Sequence, residues 1–560
     1  VHGGFWQYLS DHRIVGTEPA RSKNVQPIRR DYEVNGVVDA LLGPLAAPEC
    51  RRALSRGWVL VARVLAGIPA MIVALVVLWI WWFFRMFDRS FQPHNTLVGG
   101  LAALEWIMIV AAMLLSPAMT AGTLAGERAR GVLPLLLASS VSGREIVTGR
   151  LAGRIALVTM LLLASLPGTC LLAGLAALPI SVLLVLFLMP ISVAIGAGGI
   201  SLLASALSRR ARDALMAVYL VQLVLFLVPI LAWNLLPPFV WDVIGPVNPF
   251  YSVGTLVQSI TLVPALETCG IWAGIGLAGT WLSAWRLRAV YLKQADGGTT
   301  SKKFRHRERP PVGDDPMLWK EIHFERVGRF SRFAWWVGTI IFTVLSIATF
   351  GLVGTIVWSR WFVEDRSLSS WAVAQLELLV GSSALPLSWL IQWTIGLRAA
   401  VAIASEREHG TWDAILLSSL EGREIIRAKI LGNLYSLKGF VGAAALVWTL
   451  AVVFQGMDLA TYSARLTSTI AVGIFITAVG VWISLSSATA TRAMTFTIGI
   501  WLIAAAGYAI TAVMIVAVIA LLLLLTWMAV NQAVLVSGGK FSGPPVPISF
   551  ETGVTIARFL

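Results

Sequence analysis

The residue types that most often do chemistry are sparse in this chain, and their spacing excludes several reactions. There are six histidines: His2, His12, His94, His306, His323 and His409. None lies deep in an apolar run, where the axial ligand of a membrane haem would have to be. Cys50, Cys170 and Cys269 lack metal or disulfide spacing and read as small apolar fillers. No His/Cys/Asp/Glu cluster has the spacing of a metal site. The phosphate-cradling loop G-x-x-x-x-G-K-[ST] does not occur, since Gly539-Lys540 lacks the rest of it. The chain is therefore expected to hold no catalytic residue, metal or cofactor of its own. One acid, Glu105, sits inside a long apolar run. An intramembrane carboxyl is a functional candidate by default. Glu105 either lines a substrate path or caps a helix end at the outer boundary.

What remains is a pair of polar islands. ERARGVLPLLLASSVSGREIVTGRLAG runs from Glu127 to Gly153, and EREHGTWDAILLSSLEGREIIRAKILG runs from Glu406 to Gly432. The copies align without a gap. Glu127-Arg128 matches Glu406-Arg407, and Gly131 matches Gly410. Gly143-Arg144-Glu145 matches Gly422-Arg423-Glu424. Each island carries a short apolar stripe at helical spacing, Leu133, Leu136 and Leu137 in the first and Trp412, Ile415 and Leu416 in the second. A second helix begins at each Gly-Arg-Glu. Ser142 with Glu145 fits a capping box, whereas Glu421 is a less usual residue at the cap of copy two. An apolar face rimmed by charge suits protein docking; on the residues alone, an ordinary loop with capped helix ends reads equally well.

The elements that must position these islands are apolar helices. The chain has 560 residues, 57% hydrophobic and only 13% charged, with a mean hydropathy of +0.80. Soluble domains carry about a quarter charged residues. Apolar runs of about 20 residues, the length that crosses about 30 Å of hydrocarbon, recur throughout. The expected fold is an all-α polytopic membrane protein. It has two repeated bundles of about six transmembrane helices, each preceded by an interfacial amphipathic helix. The predicted spans of the first half are 59–84, 98–124, 151–176, 180–207, 214–236 and 268–290, with an outer loop or re-entrant piece at 239–266. Those of the second are 333–358, 371–402, 431–454 and 466–487, followed by a charge-free hairpin or re-entrant stretch at 493–537. The GPPVP near the C-terminus resembles the GPVNP before the sixth span of the first half, so a final helix is expected beyond Leu560. The true start is likewise expected upstream of Val1. The divisions are a cytoplasmic tail at 1–38, a first half at 39–290, a Gly/Pro/charge-rich linker at 291–315 and a second half at 316–560. Pro44 and Glu49 of the first amphipathic segment recur as Pro316 and Glu321 at the same separation.

Charge gives the sidedness. The net charge of +14 reflects Lys and Arg retained on cytoplasmic loops, and no nucleic acid need be invoked. With both islands inside, only Arg85, Arg89, Arg360, Arg366 and Arg465 fall on outer loops, and Lys540 and Arg558 are unplaced. The N-terminus is then cytoplasmic. Arg154 and Lys438 lie close enough to the cytoplasm to snorkel. Gln222, Gln392 and Asn531 read as interhelical hydrogen-bond partners, and the glycines and alanines of 195–200 as close helix contacts.

The order Glu-Arg-x-x-Gly, a leucine-rich turn, Gly-Arg-Glu-Ile and then a basic residue resembles the membrane domain of type-two class ABC exporters. In that family the segment between the second and third spans carries a coupling helix that sits in a groove of a cytoplasmic ATPase. The chain resembles two such permease domains fused head to tail. The resemblance implies a bacterial cytoplasmic-membrane permease partnered by an ABC ATPase dimer that holds the ATP and Mg, with membrane lipids around it. It also implies that the island residues named above transmit the motion. Copy one departs from copy two at Pro134, where copy two has Asp413. A different class, a non-transporting structural subunit of a larger membrane complex, fits the missing catalytic motifs equally well. An ion-driven transporter is disfavoured because paired acids at mid-membrane are lacking. The substrate does not follow from the sequence.

Overall fold

A computed structural model of the chain describes residues 45–87, 93–232, 245–295, 315–323 and 329–504, apart from 56, 130, 140, 209 and 436–437, with 311, 518, 522 and 526 as isolated positions. The expected tail, most of the linker and most of the stretch after residue 504 lie outside these. Among the described residues every element is helical, as the apolar runs require.

The first half opens with α1 (Ala46–Leu54), followed by α2 (Gly57–Phe87) and α3 (Pro93–Thr120). The island supplies α4 (Gly122–Ala129) and α5 (Val132–Ala138). Next come α6 (Gly143–Leu162), α7 (Leu166–Leu175), α8 (Ile180–Leu207) and α9 (Ala211–Ala232). The third span begins at the island's Gly143 rather than at 151, because the capping box starts the helix there. It continues across a short 3-10 turn to Leu175. Part of the predicted outer loop at 239–266 is helical. Asn248 accepts from Phe250 N at 3.0 Å and starts α10 (Pro249–Ser259), and α11 (Val263–Ala295) follows.

The second half opens with α12 (Pro316–His323), α13 (Arg329–Trp358) and α14 (Arg366–Val401). Its island supplies α15 (Ala404–Glu408) and α16 (Trp412–Leu416). The third span is α17 (Gly422–Tyr435) plus α18 (Lys438–Val453), bent by 44° between them. α19 (Leu459–Ser486) follows, then an apolar helix, α20 (Ala490–Ala504). Among the described residues, seven helices are long and apolar enough to cross a membrane, and the bent pair makes an eighth.

Burial shows which solvent these helices face. Only 12% of the span Val59–Trp82 is buried, and Leu60, Val61, Val64 and Leu75 lie exposed along it. Water would penalise so long an apolar face, whereas lipid does not. Each half has its own core, one centred on Leu101, Val193 and Trp272, the other on Leu379, Ile391 and Trp448. Close packing in the first half depends on glycines of α8 and α11. A Cβ on Gly199 would sit 2.2 Å from the Gly276 carbonyl oxygen.

A third cluster joins the halves. Leu114, Ala121, Ala214 and Tyr219 pack with Leu397, Ala404, Ala490 and Met494. The Tyr219 hydroxyl donates to Leu114 O at 2.9 Å, and its ring meets Trp393 edge-on, with centroids 6.1 Å apart. Ala121 and Ala404 lie shortly before the two islands, so their shared cluster sets both islands at one end of the molecule.

Candidate functional site

Each island is anchored to its own half by the same set of contacts. The first is a buried cation between two carboxylates. In the first half Arg150 of α6 donates to Glu49 of α1 at 2.5 Å and also pairs with Glu127 of α4. In the second, Lys429 of α17 lies 2.6 Å from Glu321 of α12 and 3.3 Å from Glu406 of α15. Arg150 and Lys429 hold the same place in the gapless island alignment. The lead helix, the island and the third span thus meet at one ammonium or guanidinium in each half. Lys429 is fully buried, and such an ion is tolerated only when paired and hydrogen-bonded.

The second contact is a helix cap. The last carbonyls of a helix have no partner within it, and a cation there also meets the negative end of the helix dipole. Arg128 donates to Ser208 O at 2.9 Å and Ala206 O at 3.1 Å, at the end of α8. Arg407 donates to Ser487 O and Leu485 O, both at 3.0 Å, at the end of α19. A hydroxyl completes the join: Ser205 accepts from Ala125 N at 3.1 Å, and Ser484 from Ala404 N at 2.8 Å.

The glycines shared by the copies follow from geometry. Gly131 has φ 71° and Gly410 φ 67°, a left-handed turn that a Cβ disfavours. Gly153 and Gly432 face the lead helices. A Cβ on Gly153 would lie 3.0 Å from Glu49 Cβ, and one on Gly432 only 2.5 Å from Glu321 Cβ. Any larger residue would push the lead helix away from its cation.

The second helix of each island starts as its spacing predicts in copy one. Glu145 N donates to Ser142 Oγ at 3.3 Å, and Ser142 N donates to Glu145 Oε2 at 2.8 Å. Copy two keeps half of this arrangement, with Glu421 N donating to Glu424 Oε2 at 3.2 Å. Gly143 is half-buried, while Arg144, Gly422, Arg423 and Glu424 face outward.

The apolar stripe of copy one turns inward. Leu133 is fully buried with Ile146, Val147, Leu202 and Leu287, and Leu136 and Leu137 pack on that cluster. Trp412 and Ile415 likewise pack on Met317, Ile425 and Ala428. The apolar groups that protrude furthest are Leu135 at 73% exposure in copy one, and Leu416 at 57% and Leu417 at 88% in copy two.

The acids differ in surroundings. Burial would raise the Glu406 carboxyl, but the Thr411 hydroxyl, Lys429 and Lys320 outweigh it and bring it down to about 2. Lys320 lies 3.0 Å from it. Glu105 of α3 is buried within the first half. No Lys, Arg or His among the described residues forms an ion pair with it, and the matching residue of the second half is Ala384. Lys438 bonds the Tyr435 hydroxyl at 2.6 Å. Gln392 accepts from Trp501 Nε1 at 3.2 Å, an interhelical bond, and Asn531 is outside the described residues. The central cations, Arg150 and Lys429, were not singled out from the sequence. Their signal was a basic residue at one place in both islands.

The fold is a polytopic helical bundle whose two polar islands are anchored by the same contacts. A family model for ABC-2 family transporter proteins matches residues 84–264 and again 294–535, and the chain belongs to that family. It is an ABC transporter permease, of a class that pairs with an ABC ATPase. No curated protein matches it significantly in sequence.

Proposed function

We propose that the chain is an exporter permease of a bacterial cytoplasmic membrane, with both islands and the N-terminus in the cytoplasm. A separate ABC ATPase dimer, carrying the ATP and Mg, docks on the island end. Its closure moves the islands, and the motion reaches the bundle through the buried cations.

The observation that carries this reading is the duplicated anchoring of two islands at one end. A loop that merely connects two spans needs no ion pair to a separate lead helix and no cap on a third element. The island moves the third span, the lead helix and the end of the fourth helix together, as a handle on a two-state bundle must. The protruding Leu135, Leu416 and Leu417, with Arg144, Arg423 and Glu424 beside them, form the docking surface. Leu133, Leu136, Leu137, Trp412 and Ile415 hold it from beneath. Glu127, Arg128, Glu406 and Arg407 transmit the pull, and Gly131, Gly410, Gly143, Gly422 and Glu145 shape the turns.

The test is co-purification with the ATPase. Leu135→Asp combined with Leu417→Asp places charge on the tips and leaves the anchors intact. The pair is expected to abolish ATPase capture while the permease keeps its thermal midpoint in detergent. Undiminished capture overturns the docking surface. Capture of redox subunits with no ATPase at all would favour the structural-subunit reading.

A further inference from the structure

Two consecutive residues of the second island hold both sides of one turn. Arg407 of α15 donates to Ser487 O and Leu485 O at the end of α19. Glu408, the next residue, accepts from Ala490 N at 2.7 Å, the first amide of α20. A helix start leaves its first N–H groups without partners inside the helix, and a carboxylate placed there also meets the positive end of the helix dipole. The cation thus sits at the end of the fourth helix and the anion at the start of the fifth. The turn between them, Ser487 to Thr489, is clamped from the island.

The first island has only one of these two jaws. Arg128 caps α8 as Arg407 caps α19. The residue after it is Ala129, which has no side-chain acceptor, where the second island has Glu408. In the register that pairs Ser205 with Ser484 and Ser208 with Ser487, Ala211 stands where Ala490 does. α4 comes close to the start of α9, since a Cβ on Gly122 would lie 4.0 Å from Ala211 Cβ. Among the described residues, however, no side chain accepts from Ala211 N, and Asp213 in the first turn of α9 pairs with its own neighbour Arg212 at 3.6 Å. Beyond the contacts that the islands share, the second therefore holds one helix more.

That helix lies on the seam between the halves. Ala490, Ala493, Met494 and Ile498 of α20 pack in one cluster with Leu114 and Ala121 of the first half. We propose that Glu408 is a positioning residue that joins the second island to α20, so that a pull on this island, and not on the first, moves the seam directly. The inference rests on the reading of the islands as handles for the ATPase, and it makes the two handles unequal.

The experiment uses the full chain with Cys50, Cys170 and Cys269 replaced by serine and with spin labels at Leu188 of α8 and Ile503 of α20, both exposed. The labelled permease is reconstituted with its co-purified ATPase in lipid nanodiscs, and pulsed electron resonance measures the distance between labels with and without ATP. ATP is expected to shift this distance in the wild type. Glu408→Ala should capture the ATPase as well as the wild type does and lose the shift. Glu408→Gln, whose amide oxygen can still accept from Ala490 N, should keep it, a rescue that general damage to the fold would not give. A shift that survives in Glu408→Ala, or a wild type whose labels do not respond to ATP, overturns the proposal. If the wild type captures no ATPase, the docking reading fails instead, and hydrogen exchange on the permease alone decides the joint. Loss of a helix cap should speed exchange in the first turn of α20 by about 2- to 30-fold in Glu408→Ala, and unchanged exchange there overturns the joint itself.

Discussion

Replacing Lys429 by Met removes the cation that joins lead helix, island and third span in the second half. The ammonium is completely buried, between Glu321 at 2.6 Å and Glu406 at 3.3 Å. Taking one partner from a buried ion pair costs about 3–5 kcal/mol, because the partner left behind stays desolvated and unpaired. Here two carboxylates are left. Glu406 retains Lys320 and Thr411, so the loss falls mostly on Glu321 and the lead helix that bears it. That helix, Pro316–His323, is eight residues long, too short to persist in isolation. Its amide exchange therefore reports docking. At a factor of ten per 1.4 kcal/mol, undocking should speed exchange of the helix by about 100- to 4,000-fold. Hydrogen exchange by mass spectrometry on the detergent-solubilised chain measures this, with the peptides of Ile180–Leu207 as an unperturbed control. Lys429→Arg, which installs the residue that the first half uses as Arg150, should keep exchange near the wild-type rate. Unchanged protection in Lys429→Met would refute the claim that this cation holds the lead helix.

Three further outcomes follow from the same contacts. The Glu406 carboxyl is lowered from an ordinary 4.5 to about 2. The stability it contributes is present above pH 4.5 and lost as pH falls toward 2. The thermal midpoint should therefore drop across that window in the wild type, and the drop should be smaller in Glu406→Gln. Gly410→Val forces a branched residue into a left-handed turn at φ 67° and should cost about 1–2 kcal/mol; a thermal midpoint equal to that of wild type would show that the turn relaxes freely. Glu105 is buried without an ion-pair partner among the described residues, and a carboxyl so placed gains nothing from its charge. Glu105→Gln should hold or raise the thermal midpoint, and a marked fall would mean that the carboxyl is needed structurally.

Much of this arrangement was legible from residue order. The gapless islands predicted their own symmetry, and Ser142 with Glu145 marked a helix start that the fold contains. The lead helices were visible because Pro44 and Glu49 recur as Pro316 and Glu321. Periodicity set Leu133, Leu136 and Leu137 on one face without saying what covers it. In the fold Ile146 and Leu287 cover it, and α11, which carries Leu287, is far from the island in sequence. The roles of Arg150 and Lys429 were hidden for a related reason. A basic residue one or two turns into a helix near the cytoplasm reads as a surface charge until the lead helix is laid over it.

The central claim is that the two islands are handles on one face, gripped by the ATPase. Single cysteines at Leu135 and Leu417, in a chain with Cys50, Cys170 and Cys269 replaced by serine, test it directly. A maleimide that cannot cross membranes should label both in inside-out vesicles and neither in intact cells, and bound ATPase should shield both. Labelling of either position from outside, or of the two from opposite sides, would contradict the account.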